Sequence, residues 1–158
     1  HIVLEFQLGD LKKGMATAEA YFLVAIGLMV TTEFLGGLLT NKLGIESKSR
    51  ERFEAGFKYL GQPYELLLNK NKKGVHDIYE NVRCGLVHQY LPSGTKGVYA
   101  GSSKDPGIVE ESGQFMIIPN NYIRDLEASV NRLLENLPRD NQLLQKCEDS
   151  LIRIPNLA

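Results

Sequence analysis

Apolar positions along this chain recur mostly at helical intervals, interrupted once by a block of strand-like runs. Residues 1–14 are mixed: Ile2, Val3, Leu4, Phe6 and Leu8 read as a strand or an entering helical turn, and Asp10 as a cap for the helix after it. From about Met15 to Leu39 the chain is rich in Ala and Leu, contains no proline and is apolar almost all round. This predicts one long helix at the centre of the fold, because a helix apolar on every side must be enclosed by others. Gly36-Gly37 weakens its end, and Asn41 and Gly44 stop it. Ser47 or Ser49 opens a second, amphipathic helix, with Phe53, Phe57 and Leu60 inward and Glu51, Arg52, Glu54 and Lys58 outward. Gly61-Gln-Pro63 breaks it, a short helix covers Tyr64 to Leu68, and Lys70, Lys72 and Lys73 fall in a solvated basic turn. A further helix is predicted from Gly74 to Leu91, ended by Pro92-Ser-Gly94.

The period then changes. Val98-Tyr99, Ile108-Val109 and Phe115-Met-Ile-Ile118 are strand-like runs, separated by Gly-containing turn segments. They predict a small two- or three-stranded β-hairpin over about 96–118. Pro119-Asn120-Asn121 caps a helix from Tyr122 to Leu137, with Ile123, Leu126, Val130, Leu133 and Leu134 or Leu137 inward. Pro138 restarts the chain, and a last helix runs to about Ile152. The expected architecture is mainly α: a helical bundle with a β-hairpin inserted before its last two helices. At 158 residues it should form a single domain, 1–158, long enough for a real core.

Composition narrows the classes. A formal net charge of −1 gives no global basic field, so any contact with nucleic acid must be made at a local site. Tyr21 to Leu39 is nearly long enough to span a membrane, but Thr31, Thr32 and Glu33 interrupt it, and a charge in mid-span is costly. A buried core helix and no membrane are expected, and Glu5, Asp10 and Glu19 ahead of the run argue against a signal peptide. The two cysteines, Cys84 and Cys147, form no CxxC or Cys/His spacing and read as free thiols, which favours a cytoplasmic protein. The opening residue is His1 instead of methionine, which reads as a trimmed or tagged N-terminus.

Candidate chemistry concentrates between Tyr79 and Leu91. On a regular helical wheel Val75, Ile78, Tyr79, Val82 and Leu86 form a core stripe, while Cys84, Val87 and Leu91 form a second apolar strip opposite. Arg83 and His88 border that strip. Five residues apart, they are about 140° apart around a regular helix and roughly 7.5 Å along it, so they should not face one another within one chain. A two-fold homodimer packed through Cys84, Val87 and Leu91 would bring Arg83 of one copy to His88 of the other and put two imidazoles in one cleft. Two histidines and an arginine are the parts needed to cleave RNA without a metal or other cofactor. One imidazole takes the 2′-hydroxyl proton, the other protonates the leaving 5′-oxygen, and the guanidinium stabilises the phosphorane.

Arg83-x4-His88-x-Tyr90 resembles the Arg-x4-His-x-Tyr motif of the HEPN family, and the helical layout around it is similar to that of the family. The resemblance implies a small helical bundle, a homodimer and a metal-independent endoribonuclease, with Arg83 and His88 catalytic and RNA as substrate. Such proteins occur in defence and toxin–antitoxin systems. In some toxins of the family the motif tyrosine, here Tyr90, is nucleotidylated by a partner antitoxin. The chain departs from the active members at Cys84, where they commonly carry Asn, Asp or His. A thiol replaces a hydrogen-bonding amide or carboxylate poorly. The alternative expectation is therefore a non-catalytic HEPN-like module that uses the same surface for dimerisation or for binding RNA or protein.

Other features are weaker. His76-Asp77 has no third metal ligand at suitable spacing and reads as a cap or surface pair. Glu110-Glu111 reads as a solvent-facing pair in the hairpin. Cys84 and His88 stand at i, i+4, the spacing of a Cys/His nucleophile, but a small buried cysteine in an apolar strip explains Cys84 as well. No P-loop, GxGxxG or HExxH motif occurs.

Overall fold

A computed structural model describes residues 2–16, 20–71, 77–89, 95–98 and 104–154. The first helix, α1 (Ile2–Met15), is followed by α2 (Tyr21–Thr40), so the mixed N-terminal stretch is helical and the long helix expected from about Met15 is α2, which begins at Tyr21. Leu4, Leu8 and Leu11 are all buried, and this i, i+4, i+7 stripe packs α1 against α2 and α6. The stripe outweighs the strand preference of the β-branched pair Ile2-Val3.

Helix α2 is the centre of the bundle, packed by α1, α3, α6 and α7. It is long and apolar enough to cross a membrane by length and composition, yet most of its apolar window is buried against these neighbours. It ends at Asn41, whose left-handed backbone (φ 55°) returns its N–H to the carbonyl of Leu38. Gly36 and Gly37 do not weaken it. A β-carbon on Gly36 would stand 1.7 Å from the carbonyl oxygen of Arg52, and one on Gly56 would stand 1.9 Å from that of Thr32. Two glycines thus let α2 and α3 (Ser49–Tyr59) cross backbone against backbone. A 3₁₀ turn, Glu46–Lys48, leads into α3.

Phe53, Phe57 and Leu60 face the core from α3, as their spacing predicts. From Phe57 an aromatic run crosses the core to Tyr64 (ring centroids 5.1 Å apart) on α4 (Gln62–Lys70) and on to Tyr122 (5.5 Å). The segment expected as a plain helix is not one. Tyr79–Cys84 forms a π turn, with i→i+5 bonding, and only Gly85–Gln89 continues as α-helix, α5. Ile78, Tyr79, Val82 and Leu86 are buried, as the core stripe requires.

The inserted sheet has three strands, β1 (Thr95–Val98), β2 (Ile108–Glu111) and β3 (Gln114–Ile117), in the order β1-β3-β2. β2 and β3 form the expected hairpin, closed by Ser112-Gly113 with positive φ at both positions. β1 pairs with β3 in parallel, a direction that alternation of apolar residues does not encode. The hairpin is tied to α6 (Pro119–Asn136) through Tyr64 and Asp125. Tyr64 donates to Asp125 (2.6 Å), and the Gly107 amide donates to Tyr64 Oη (2.9 Å) and to Asp125 (3.1 Å). Ile123, Leu126, Val130 and Leu133 form the buried face of α6. Asp140 caps α7 (Asn141–Ile152), accepting from the amides of Gln142 and Leu143. The protein is mainly α with a small three-stranded sheet before its last two helices.

Candidate active site

The site is built on Glu33, the residue that interrupts the apolar run of α2. Its carboxylate is nearly enclosed, with the side chain 9% exposed, and such a charge must be compensated locally. Two arginines do so, each 13% exposed. Arg52 of α3 donates to Oε1 from Nε (3.1 Å) and Nη2 (2.6 Å), and Ser49 Oγ donates to the same oxygen (2.8 Å). Arg83 of the π turn donates to Oε2 from Nε (2.8 Å) and Nη2 (2.5 Å). The Gly36–Gly56 crossing is what brings α3 close enough for Ser49 and Arg52 to reach. Arg52, expected on the outer face of its helix, is therefore turned inward, because a buried carboxylate outweighs the solvation of a guanidinium.

Arg83 and His88 meet within one chain. Arg83 Nη1 lies 3.3 Å from His88 Nε2 and 3.9 Å from the thiol of Cys84. This corrects the wheel, on which the two side chains pointed about 140° apart. Arg83 is the penultimate residue of the π turn and His88 lies in α5, so the backbone between them is mostly α-helical; the contact is made by the reach of the long Arg83 side chain, whose guanidinium Glu33 holds beside the imidazole. Burial disfavours the charged form of Arg83, but the charge and hydrogen bonds of Glu33 override it and leave its pKa raised. The guanidinium is thus a fixed cation with one edge on Glu33 and one nitrogen turned to His88, which is exposed.

Tyr79 closes the site from below. Its hydroxyl donates to Ser49 Oγ (2.9 Å), which extends the chain of bonds to Glu33. Burial raises its pKa, opposed by the bond to Ser49 and reinforced by the Cys84 thiol. Arg50 stacks on its ring at 4.5 Å and binds Asp77 (2.8 Å) and Glu80 (2.6 Å), which clasps α3 to the π turn. Asp77 also accepts from the amides of Tyr79 and Glu80, the capping role its position suggested. Beside Glu33 a groove of 210 Å³ opens, lined by Val30, Phe34, Leu43, Gly44, Arg52 and Arg83.

Of the second apolar strip, Cys84 and Val87 are half-buried. Cys84 packs against the core, and its thiol is directed at Arg83 and Tyr79. Leu91, Tyr90 and His76 lie outside the described residues. Glu110 is not solvent-facing: it receives Lys70 (2.8 Å) and Asn71 (3.0 Å) and ties the hairpin to the end of α4. Among the described residues no three His, Cys, Asp or Glu side chains converge as a metal site. Sequence reasoning missed Glu33, Ser49 and Arg52 as members of the site. The available signal was Glu33 itself, a lone carboxylate in an apolar helix that must be met by cations once the helix is buried. No family model, curated protein or solved structure matches the chain.

Proposed function

We propose that the protein is a metal-independent endoribonuclease of the HEPN type that works as a homodimer in the cytoplasm. The observation that supports this reading is the 3.3 Å contact between Arg83 and His88, with His88 exposed and Arg83 anchored from behind by Glu33. Each subunit then carries its own arginine–imidazole pair, and the dimer is required only for the second imidazole. His88 of one subunit takes the 2′-hydroxyl proton. The 2′-oxygen attacks phosphorus, the bond to the 5′-oxygen breaks, and His88 of the other subunit, acting as the imidazolium and so without its own Arg83 contact on Nε2, protonates that leaving oxygen. Arg83 Nη1 stabilises the charge that builds on the phosphoryl oxygens. The products are a 2′,3′-cyclic phosphate and a 5′-hydroxyl. In a toxin–antitoxin setting Tyr90 would be the point at which a partner antitoxin acts.

One observation favours a second reading. The Arg83 side chain is 13% exposed and its charge is matched by Glu33, as in an arginine that serves the fold alone. On that reading the protein is a non-catalytic HEPN-like module for dimerisation or for RNA or protein binding. Incubating single-stranded RNA with the protein in EDTA decides between them. The ribonuclease reading requires cyclic-phosphate ends from wild type and none from folded His88→Ala, with a dimer in light scattering. An inert wild type, or undiminished cleavage by His88→Ala, refutes it.

A further inference from the structure

Donor and acceptor chemistry ties the protonation of His88 to the anchoring of Arg83. A guanidinium is planar and carries only donors. Glu33 Oε2 holds Arg83 by Nε and Nη2 together, which fixes the plane and leaves Nη1 at a set corner. That corner is 3.3 Å from His88 Nε2. Because Nη1 can only donate, Nε2 must offer a lone pair, and a neutral imidazole with its lone pair on Nε2 carries its proton on Nδ1. We propose that Glu33 is a positioning residue, which through Arg83 holds His88 in the Nδ1–H tautomer and so makes Nε2 the proton acceptor of the site.

The other groups at the site fit this role. Ser49 and Arg52 fill Glu33 Oε1, so among the described residues Oε2 is left to Arg83 alone. The Tyr79 ring lies 5.6 Å from the Arg83 guanidinium and limits its swing. Free neutral histidine prefers the Nε2–H tautomer, with the lone pair on the wrong nitrogen for this geometry. A 2′-hydroxyl entering beside Arg83 would displace the Arg83–His88 bond and donate to the same Nε2 lone pair. The chemical use of this tautomer rests on the ribonuclease reading, but its test does not.

The experiment is ¹⁵N-resolved NMR of the imidazole rings in RNA-free protein at about pH 8.5, where an ordinary histidine is neutral. His88 is assigned by the signal lost in His88→Gln. In wild type the Nδ1–H form should dominate; a dominant Nε2–H form overturns the proposal. Folded Glu33→Gln should shift the balance to mostly Nε2–H. Glu33→Asp keeps the charge, withdraws the carboxylate by one methylene and should shift it partway; it decides the matter if Glu33→Gln does not fold. Retention of the wild-type tautomer in a folded Glu33 variant overturns the positioning role. An RNA-cleavage assay on the same samples separates the two readings. Inert protein with Nδ1–H His88 refutes the nuclease and supports the positioning, whereas active protein with Nε2–H His88 refutes only the positioning.

Discussion

Glu33 and Arg83 stand fifty residues apart in sequence and 2.8 Å apart in space, joined through the Nε and Nη2 edge of the guanidinium. The pair links the most apolar helix of the bundle to the turn that carries the candidate chemistry. Removing the carboxylate leaves two mostly buried arginines uncompensated. Glu33→Ala should cost about 3 kcal/mol, the lower end of what breaking a buried pair costs. That corresponds to a fall in Tm of roughly 6–12 °C for a chain of this size. Thermal and urea unfolding check it, and a change under about 0.5 kcal/mol would mean that the pair carries no stability.

Arg83→Ala and His88→Ala should separate. Arg83→Ala strips Glu33 Oε2 of its donor and should destabilise by about 2 kcal/mol. His88 is exposed, so His88→Ala should stay within about 0.5 kcal/mol of wild type. Under the ribonuclease reading both should lose about 10²-fold or more in cleavage. Equal destabilisation in the two variants would contradict the burial difference between them.

Under the ribonuclease reading a cleft shared by two subunits predicts a dose effect. If both imidazoles of a dimer are needed, exchanging wild-type subunits with His88→Ala subunits should lower cleavage as the square of the wild-type fraction. Mixing followed by subunit exchange and a rate measurement tests this. A linear fall would show that each imidazole acts on its own, and a fall as f(2 − f), with f the wild-type fraction, that one imidazole per cleft suffices.

Backbone contact between α2 and α3 is a separate point of attack. Gly36→Ala places a methyl group 1.7 Å from the Arg52 carbonyl oxygen, so the helices must part. A loss of about 3 kcal/mol or more is expected, above the usual range for overpacking, because the obstacle is backbone. Under the ribonuclease reading cleavage should fall with it, since the same shift draws Ser49 and Arg52 away from Glu33. Unchanged stability in Gly36→Ala would overturn the close crossing.

Glu51 gives a pH signature remote from the site. Hydrogen bonds first from Lys42 and then from Lys48 hold its pKa down at about 2. A carboxylate depressed in the folded state stabilises the fold above its unfolded pKa, and that contribution disappears as pH falls through about 2. Carboxyl-carbon NMR should show Glu51 titrating near this value, and Lys42→Met should raise it. A midpoint in the ordinary glutamate range in wild type would refute the triad.

Much of this fold is legible in the pattern, because burial enforces periodicity. Phe53-Phe57-Leu60, Ile78-Tyr79-Val82-Leu86 and Ile123-Leu126-Val130-Leu133 all face inward as their spacing requires. Asn41 ends α2 where its left-handed tolerance suggests. What escapes is set by pairing across long distances. Arg52 looks like a surface residue until Glu33 is known to lie behind it, and the parallel pairing of β1 with β3 leaves no mark in the alternation of apolar residues. The HEPN resemblance drew attention to Arg83 and His88, but it gave no account of how they approach. Their contact depends on Glu33, fifty residues away in sequence, which holds the Arg83 guanidinium beside the imidazole.

The π turn Tyr79–Cys84 is a setting of phase. An i→i+5 turn contains one residue more than the α-helical turn it replaces, and one residue is about 100° of helix. Deleting Asn81 would let the segment revert to regular helix, and everything beyond would rotate by that angle. With Ile78 and Tyr79 kept in place, Leu86 and Arg83 would turn together, so Leu86 would lose its burial and Arg83 its hold on Glu33. A single surplus residue thus acts as a gear tooth between α5 and the segment that precedes it, and its loss would disengage them without altering any side chain of the site.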